Sequence, residues 1–217
     1  MKALMIGATG ATGKDLLDLL LKDAAFERVD IFVRREVDVR HEKLAVHVID
    51  FDKPEQWREL VKGDVLFSCL GTTLKAAGGK EAQRRIDYDY QYNFAKAARE
   101  NNVDSYVLVS AALASPDSRL FYSRMKGELE VAVKALGFRS LAIFNPPILI
   151  RKESDRVGEV AGLKLINFFN KLGLFRSQKP LSTEVLAQAM INAAKSKAAG
   201  IAAYGNEEIR RLAGTKS

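Results

Sequence analysis

The chain has few residues with which to cross-link itself or to hold a metal ion. Its 217 residues include one cysteine, Cys69, and two histidines. A single cysteine excludes a disulfide within the chain. The cysteine and the histidines do not form a cluster with the spacing of metal ligands, so we predict no metal site.

Long apolar runs are also missing. No stretch approaches the roughly 18 consecutive apolar residues that cross a bilayer, so we expect no membrane span. The first residues have the pattern of a strand, without the charged and apolar regions of a secretory leader. We therefore expect, by default, a cytoplasmic location.

Acidic residues are in the minority, with 27 Asp and Glu against 34 Lys and Arg and a net charge of +7. A nucleic-acid footprint usually clusters its basic residues on one face or element. Here they occur in isolated pairs, such as 84–85 and 210–211. This pattern disfavours nucleic acid and fits either an evenly solvated surface or a phosphorylated small molecule as ligand.

Short apolar runs alternate with longer helical patterns over the first 150 residues. The runs are rich in β-branched and aromatic residues, which is typical of strands covered on both faces. We predict strands at 2–6, 29–33, 46–49, 64–70, 105–110 and 140–145. We predict helices at 12–23, 54–62, 81–101 and 120–136. This alternation indicates an α/β protein with a doubly wound parallel sheet.

The pattern changes after residue 150. Helical segments are predicted at 158–173, 182–197 and 205–213, where they would form a small C-terminal helical region capping the sheet and a substrate pocket. The five prolines are scattered, and no Gly/Ser/Pro-rich linker divides the sequence. We therefore expect one domain over 1–217, with a core at 1–150 and a tail at 151–217.

Three glycines follow the first strand at intervals of three: Gly7, Gly10 and Gly13. In a strand–turn–helix unit such glycines allow a tight turn, close approach of a pyrophosphate, and close packing of the helix on the strand. The helix N-terminus then offers free N–H groups to the anion. Thr9 and Thr12 could add hydroxyl contacts. The alternative, a flexible corner without a ligand, stays open on this turn alone.

The end of the second strand indicates which dinucleotide would bind. NAD sites usually carry an acidic residue there, on the ribose hydroxyls. This chain has Arg34 and Arg35 instead, and guanidinium groups bind a 2′-phosphate. Together with the glycine turn they favour NADP over an ordinary solvated strand end.

The next two strand ends supply further candidates. Asp50 and Phe51 would lie beside the adenine, and Gly71 would allow close approach of the cofactor. Cys69 is interpreted as a small buried apolar group, because no histidine lies nearby in sequence to activate a thiolate.

Two pairs of tyrosine and lysine lie four residues apart, on one helix face each. Tyr122 and Lys126 follow the strand that ends at Ser110, and ligands of open α/β sheets bind at such strand ends. Tyr92 and Lys96 lie on the preceding helix, away from that edge. We therefore predict Ser110, Tyr122 and Lys126 as catalytic residues, with the ammonium lowering the phenol pKa and Ser110 bonding the substrate oxygen. The alternative is an exposed polar helix face.

These residues resemble the hallmark of short-chain dehydrogenases/reductases of the atypical, NAD(P)-binding branch. The chain is also similar to the Tat-interacting-protein family of Rossmann-fold oxidoreductases, through the segments DVLFSCLGTT, IDYDYQYNFAKAARENNVDSYVLVSA, FYSRMKGELE and NPPILIRKESDRVGE. The resemblance implies NADP(H) bound by the turn Gly7–Gly13 with Ala11, by Arg34, Arg35, Asp50, Cys69, Leu70, Gly71, Thr72, Ser110, Tyr122 and Lys126, and by Asn145, Pro146 and Ile148.

Two positions depart from the pattern of related reductases. Ala111 stands where a second serine often follows Ser110, and Asn145-Pro146-Pro147 replaces a more usual Arg-Pro-Gly. Two functions therefore stay open: an NADP-dependent oxidoreductase acting on a small carbonyl, alcohol or quinone, and an NADPH-binding sensor without turnover. A homodimer or a protein partner could use 151–180. A nucleotide-sugar epimerase is disfavoured, because it needs a larger C-terminal lobe.

Overall fold

The computed structural model describes residues 1–150 and 180–215. Its strands are β1 (Lys2–Ile6), β2 (Arg28–Val33), β3 (Leu44–Val48), β4 (Val65–Ser68), β5 (Ser105–Val109), β6 (Ser140–Phe144), β7 (Leu149–Ile150), β8 (Leu181–Ser182) and β9 (Gly200–Tyr204). Seven of them form one parallel sheet in the order β3-β2-β1-β4-β5-β6-β9, while β7 and β8 form a separate parallel pair. The reversal of order between β1 and β4 creates a crevice at the carboxyl ends of the strands.

Helices connect the strands on both faces of the sheet. They are α1 (Ala11–Lys22), α2 (Pro54–Trp57), α3 (Leu74–Ala77), α4 (Lys80–Arg84), α5 (Tyr90–Glu100), α6 (Phe121–Lys134), α7 (Thr183–Ser196) and α8 (Asn206–Leu212). A short 3₁₀ turn, Arg58–Leu60, follows α2, and a π-helical turn, Arg85–Asp89, joins α4 to α5.

Each face of the sheet has its own apolar core. On one face α1 packs against α7, and the buried leucines of α1 meet Leu186 and Met190 of α7. On the other face α5 and α6 cover the sheet, and Trp57, Phe51 and Phe94 form an aromatic cluster. Successive side chains of a strand point to opposite faces of the sheet, so a strand such as β1 contributes apolar residues to both cores.

A buried carboxylate links the first three strands. Asp30 of β2 is 1% exposed and accepts a hydrogen bond from Arg28 Nε at 2.6 Å, while Lys2 Nζ lies 3.0 Å away. His47 Nε2 of β3 lies 3.1 Å from the same carboxylate. Burial raises the pKa of Asp30, but the hydrogen bonds from these three basic side chains outweigh it and hold the pKa below its usual value.

The predicted doubly wound parallel sheet is confirmed, and all six predicted strands are present with each end within two residues of its predicted position. The C-terminal helices predicted at 182–197 and 205–213 are present as α7 and α8. The sequence analysis missed β9, which adds a seventh strand beside β6. The helix predicted at 158–173 lies outside the described residues.

The helix predicted at 81–101 is interrupted by the π-helical turn. Within residues 1–150 and 180–215, no helix has both the length and the apolar composition that a bilayer crossing needs.

Candidate functional site

The glycine turn joins β1 to α1 at the carboxyl edge of the sheet. Gly7 has a φ of +83°, and a Cβ there would lie 2.6 Å from the backbone nitrogen of Leu70. A Cβ at Gly13 would overlap the carbonyl oxygen of Gly7. Both positions therefore require glycine so that α1 and β4 can approach the turn.

Gly10 has a different reason to lack a side chain. It is the N-cap residue of α1, makes no side-chain cap, and a Cβ there would come no closer than 3.4 Å to the protein. The N–H groups in the first turn of this 12-residue helix remain available to an anion, and that turn carries no acidic residue. The space beside Gly10 and these N–H groups fit a dinucleotide pyrophosphate.

A groove continues from the glycine turn across the ends of β2, β3 and β4. Its described lining residues are Gly7, Ala8, Thr9, Phe32, Val33, Arg34, Phe51, Leu70, Ile86 and Tyr90. Phe51 and Tyr90 stack at 5.2 Å between ring centroids. The groove therefore offers apolar walls for an adenine ring, with Arg34 as the only charged side chain among these described residues.

The predicted cofactor residues differ in how they face this groove. Arg34 lines it, whereas the exposed Arg35 is not among its described lining residues. The Asp50 carboxylate accepts a hydrogen bond from the Asp52 N–H at 3.0 Å and lies 3.4 Å from Lys53 Nζ. The Asp50 carboxylate thus stabilises the turn that follows β3, and Asp50 is not among the described residues that line the groove.

Other predicted contacts of the turn and of the segment after β4 are placed as follows. Thr9 lines the groove, Ala11 is half-buried, and the side chain of Thr12 is buried. A Cβ at Gly71 would meet nothing within 4 Å, so space for a ligand is open there. The Thr72 N–H donates to Asp87 Oδ1 at 2.9 Å.

Cys69 packs against the apolar core beneath the glycine turn. Burial raises the pKa of its thiol to about 12, so the sulfur stays protonated at neutral pH. The interpretation of Cys69 as a small apolar group therefore agrees with its surroundings.

Ser110 stands at the end of β5, where its hydroxyl is engaged within the protein. Its Oγ donates to Glu130 Oε1 at 2.5 Å, and Asn145 Nδ2 donates to the same oxygen at 2.7 Å. Asn145 Nδ2 also donates to the carbonyl of Ala111 at 3.0 Å. Glu130 thus ties α6 to the ends of β5 and β6. In this structure the one hydroxyl proton of Ser110 is donated to a buried carboxylate, and the bond from Ser110 to a substrate oxygen stays a prediction.

Lys126 is 2% exposed and lies between two carboxyl groups, those of Asp87 and Glu130. Its Nζ donates to the carbonyl of Val109 at 3.4 Å. Burial lowers the pKa of Lys126, and the two carboxyl groups oppose that shift. Burial raises the pKa of Asp87, which the π-helical turn brings to this position.

Tyr122 faces the same region from the first turn of α6 and is 41% exposed. Desolvation of its hydroxyl and the neighbouring Asp87 carboxyl raise the pKa of Tyr122 to about 12. The prediction that Lys126 lowers this pKa is therefore wrong for the structure described. The ammonium interacts with Val109, Asp87 and Glu130, and the phenol stays neutral at neutral pH.

The second tyrosine–lysine pair lies where the sequence analysis placed it, on α5. Tyr92 stacks on Tyr88, and Lys96 is exposed and pairs with Glu100 at 3.9 Å. This pair forms an ordinary helix surface.

Three residues that position the site, one glycine and two acidic residues, were not predicted from the sequence. A Cβ at Gly127 would overlap the Ser115–Pro116 backbone, so this glycine lets the loop after β5 lie directly on α6. Glu130 and Asp87 were also missed. Glu130 lies four residues after Lys126, and that spacing could have identified it as a partner.

The loop after β6 borders a second cavity. Pro146 is buried and Ile148 is 53% exposed. The described lining residues of the cavity are Ala112, Asn145, Pro147, Gly205, Asn206, Glu207 and Glu208. No group of three histidine, cysteine or acidic side chains arranged to hold a metal occurs in residues 1–150 and 180–215.

Comparison with known sequences gives a family and curated relatives. The profile of the NAD(P)H-binding family matches residues 7–135. The mitochondrial protein fmp52-1 of Aspergillus terreus is 34% identical over 222 residues, which cover 97% of this chain and 94% of that protein. The mitochondrial protein FMP52 of Debaryomyces hansenii is 41% identical over 160 residues, covering 73% and 71%.

Solved structures share the fold at low sequence identity. MoeE5 in complex with UDP-glucose and NAD superposes with a TM-score of 0.71 at 13% identity, covering 98% of this chain and 81% of that one. The oxidoreductase ylbE from Lactococcus lactis gives a TM-score of 0.69 at 15% identity, covering 99% and 95%. These matches show that the chain shares their fold, and the NAD(P)H-binding profile is consistent with the Tat-interacting-protein family without naming it.

The expected cytoplasmic location is wrong on this comparison. The curated relatives are named as mitochondrial proteins. The expectation rested on the absence of a leader pattern, which is weak information about where a protein resides.

Proposed function

Because the chain belongs to the NAD(P)H-binding family, we propose that it is an NADP-dependent oxidoreductase that transfers hydride between NADP(H) and a small carbonyl, alcohol or quinone. We take 1–217 as one domain, in which 1–150 binds the cofactor and 151–217 faces the substrate or a partner. The observation that carries the choice of NADP is Arg34, the only charged side chain among the described residues that line the groove.

Different residues of the chain would bind the cofactor and transfer the proton. The turn Gly7–Gly13 would hold the pyrophosphate through N–H groups, and Arg34 would bind the 2′-phosphate. Tyr122, a neutral phenol, would give its proton to the substrate oxygen. Lys126 would keep a positive charge beside that proton transfer. When bound, the dinucleotide supplies the hydride.

The cofactor preference is tested by paired substitutions. Arg34→Ala should weaken NADPH binding about 10- to 100-fold, because a hydrogen-bonded charge pair contributes roughly 1.5–3 kcal/mol. NADH binding should change little. Arg35→Ala is the matched control and should leave both dissociation constants near those of the wild type. Fluorescence titration of NADPH and NADH measures the four constants, and equal weakening of both cofactors by Arg34→Ala would contradict the assignment.

Turnover is tested separately from binding. Tyr122→Phe should lower the rate of NADPH oxidation with a carbonyl and quinone panel about 10²- to 10⁴-fold, because the phenol is the proton donor. The NADPH dissociation constant should stay near the wild-type value. Tyr92→Phe is the control and should retain turnover. An unchanged rate in Tyr122→Phe would remove the tyrosine from the mechanism.

A sensor without turnover is the second candidate. The engagement of Ser110 with Glu130, together with Ala111, favours it, since neither residue then offers the substrate a proton. Tight NADPH binding by the wild-type protein with no oxidation on the whole panel would select the sensor, and a partner captured only with NADPH would support it further.

A further inference from the structure

We infer that the hydride acceptor of this site is an electron-poor carbonyl of the quinone class, because the donors of Ser110 and Asn145 are used within the protein and Lys126 is buried, which leaves Tyr122 as the hydroxyl facing the substrate. The inference rests on the proposed function and narrows its substrate.

Ser110 is the first group to consider. Its hydroxyl has one proton, which it donates to Glu130 Oε1, with 2.5 Å between the two oxygens. Glu130 is 9% exposed, and a carboxylate accepts more strongly than a neutral carbonyl. Turning the hydroxyl toward a substrate would leave a buried carboxylate without one of its donors, which is costly. Ser110 therefore holds Glu130 in place rather than the substrate.

The Asn145 amide is engaged within the protein as well, and Lys126 is buried. Both hydrogens of the Asn145 amide are used, on Glu130 and on the carbonyl of Ala111. The Lys126 ammonium is 2% exposed and turned toward Val109. Ala111 has no hydroxyl. Across residues 1–150 and 180–215, the hydroxyl of Tyr122 is the one polar group of this constellation for which no hydrogen bond is found.

The number of hydrogen-bond donors that face the substrate oxygen restricts which carbonyls the site can reduce. Hydride addition to a simple ketone places a full charge on one oxygen, and removing one donor from such a site typically costs about 10²- to 10³-fold in rate. In an ortho-quinone the adjacent carbonyl withdraws electrons, so less stabilisation of the charged oxygen is needed. A site with one phenol donor can therefore stabilise the charge that forms on a quinone oxygen better than the larger charge that forms on a simple ketone.

The reaction balances as a two-electron reduction. A carbon–hydrogen bond forms with hydride from NADPH, which leaves as NADP⁺, and the carbonyl π pair moves to the oxygen. That oxygen takes the Tyr122 proton. Loss of the new carbon-bound proton and gain of one at the second oxygen give the hydroquinone, and Tyr122 regains its proton from solvent.

The surroundings favour a neutral, apolar acceptor. The loops after β5 and β6 expose Leu113, Leu120 and Ile148, which are 57%, 66% and 53% exposed. The adjoining cavity is lined by Glu207 and Glu208, which would repel a carboxylate. An anionic keto acid is thereby disfavoured relative to a quinone.

The test compares 9,10-phenanthrenequinone with cyclohexanone at saturating NADPH. The wild-type protein should oxidise NADPH with the quinone and at least 100-fold more slowly with the ketone. Ser110→Ala should lower both activities by the same factor and reduce the free energy of unfolding in urea, since it acts through Glu130. Ser110→Thr, which keeps the hydroxyl, should restore the stability.

A gain of activity gives the sharper result. Ala111→Ser adds a hydroxyl at the strand end and should raise cyclohexanone reduction about tenfold or more, leaving the quinone rate within threefold. Ala114→Ser, in the same loop, is the control and should raise neither. NADPH titration checks that all variants bind the cofactor equally.

Three outcomes overturn the inference. They are a selective loss of ketone reduction in Ser110→Ala, comparable wild-type rates on the two carbonyls, and an Ala111→Ser variant that gains nothing on the ketone. All three leave the proposed oxidoreductase standing. Absence of NADPH oxidation with both carbonyls overturns the proposed function and this inference together.

Discussion

Asp30 shows how one buried charge makes stability depend on pH. Its folded pKa lies below the unfolded value of about 3.9, because Arg28, Lys2 and His47 bond the carboxylate against the effect of burial. A lowered folded pKa means that the stabilisation is present above the unfolded pKa and is lost as the pH falls through the folded one.

Asp30→Asn should therefore destabilise the protein by about 3 kcal/mol at pH 7, the usual cost of breaking a buried pair. The difference from the wild type should shrink as the pH falls below about 4. Asp18→Asn is the control, because Asp18 pairs with Lys22 on the exposed surface of α1 and should contribute within about 0.5 kcal/mol. Urea unfolding at several pH values measures both, and a pH-independent deficit for Asp30→Asn would refute the linkage.

Single residues also show which part of the site the sequence could predict and which part it could not. The spacing of Tyr122 and Lys126 places both on one helix face, but spacing does not specify the acceptor of the ammonium. The ammonium donates to the Val109 carbonyl and feels the charges of Asp87 and Glu130, which come from a π-helical turn and from the next turn of α6. Pairwise charge effects depend on three-dimensional position, which residue spacing in a motif does not contain.

At the scale of elements, Gly13 in the turn after β1 and Gly71 after β4 differ in what a side chain would disturb. Gly13→Ala should destabilise the protein by roughly 1–3 kcal/mol or more and weaken NADPH binding, because its Cβ overlaps the Gly7 carbonyl. Gly71→Ala meets no protein atom within 4 Å and should leave stability within about 0.5 kcal/mol. It should still weaken NADPH binding if the cofactor approaches there.

Thermal or urea unfolding and NADPH titration separate the two effects. A Gly71→Ala variant that loses stability but binds normally would mean that this segment serves the fold and not the cofactor.

The helices and strands also differ in how well they could be predicted from the sequence. Buried parallel strands such as β1 and β4 are continuous apolar runs and were predictable. Strand β9, with the sequence GIAAY, is a short edge strand that begins with a glycine, and three of its five residues are exposed. Its pairing with β6 depends on tertiary context. The π-helical turn was hidden because the helical periodicity continues through it.

At the scale of the whole molecule, the C-terminal part belongs to the same core as the first strands. Met190 of α7 is fully buried against α1 and the sheet, on the face opposite Trp57. Met190→Ala should cost about 2–5 kcal/mol. If the sheet unfolds as one unit, the fluorescence of Trp57 and the far-ultraviolet circular dichroism should lose their signals at the same, lower urea concentration.

Leu60→Ala, at a 45% exposed position, is the control and should leave the midpoint nearly unchanged. Two separate transitions in Met190→Ala, with the Trp57 signal unmoved, would show instead that the core at 1–150 folds without the tail.

The pairing of β6 with β9 affects how the chain is made. Their register joins Ser140 to Gly200 and Phe144 to Tyr204, across a connection of more than fifty residues. During synthesis, the outer edge of β6 therefore remains without its partner until residues 200–204 have left the ribosome. An open parallel edge is a template for intermolecular pairing, so the nascent chain is most exposed to aggregation in that interval. Completion of the sheet is thus tied to residues translated more than fifty positions after β6.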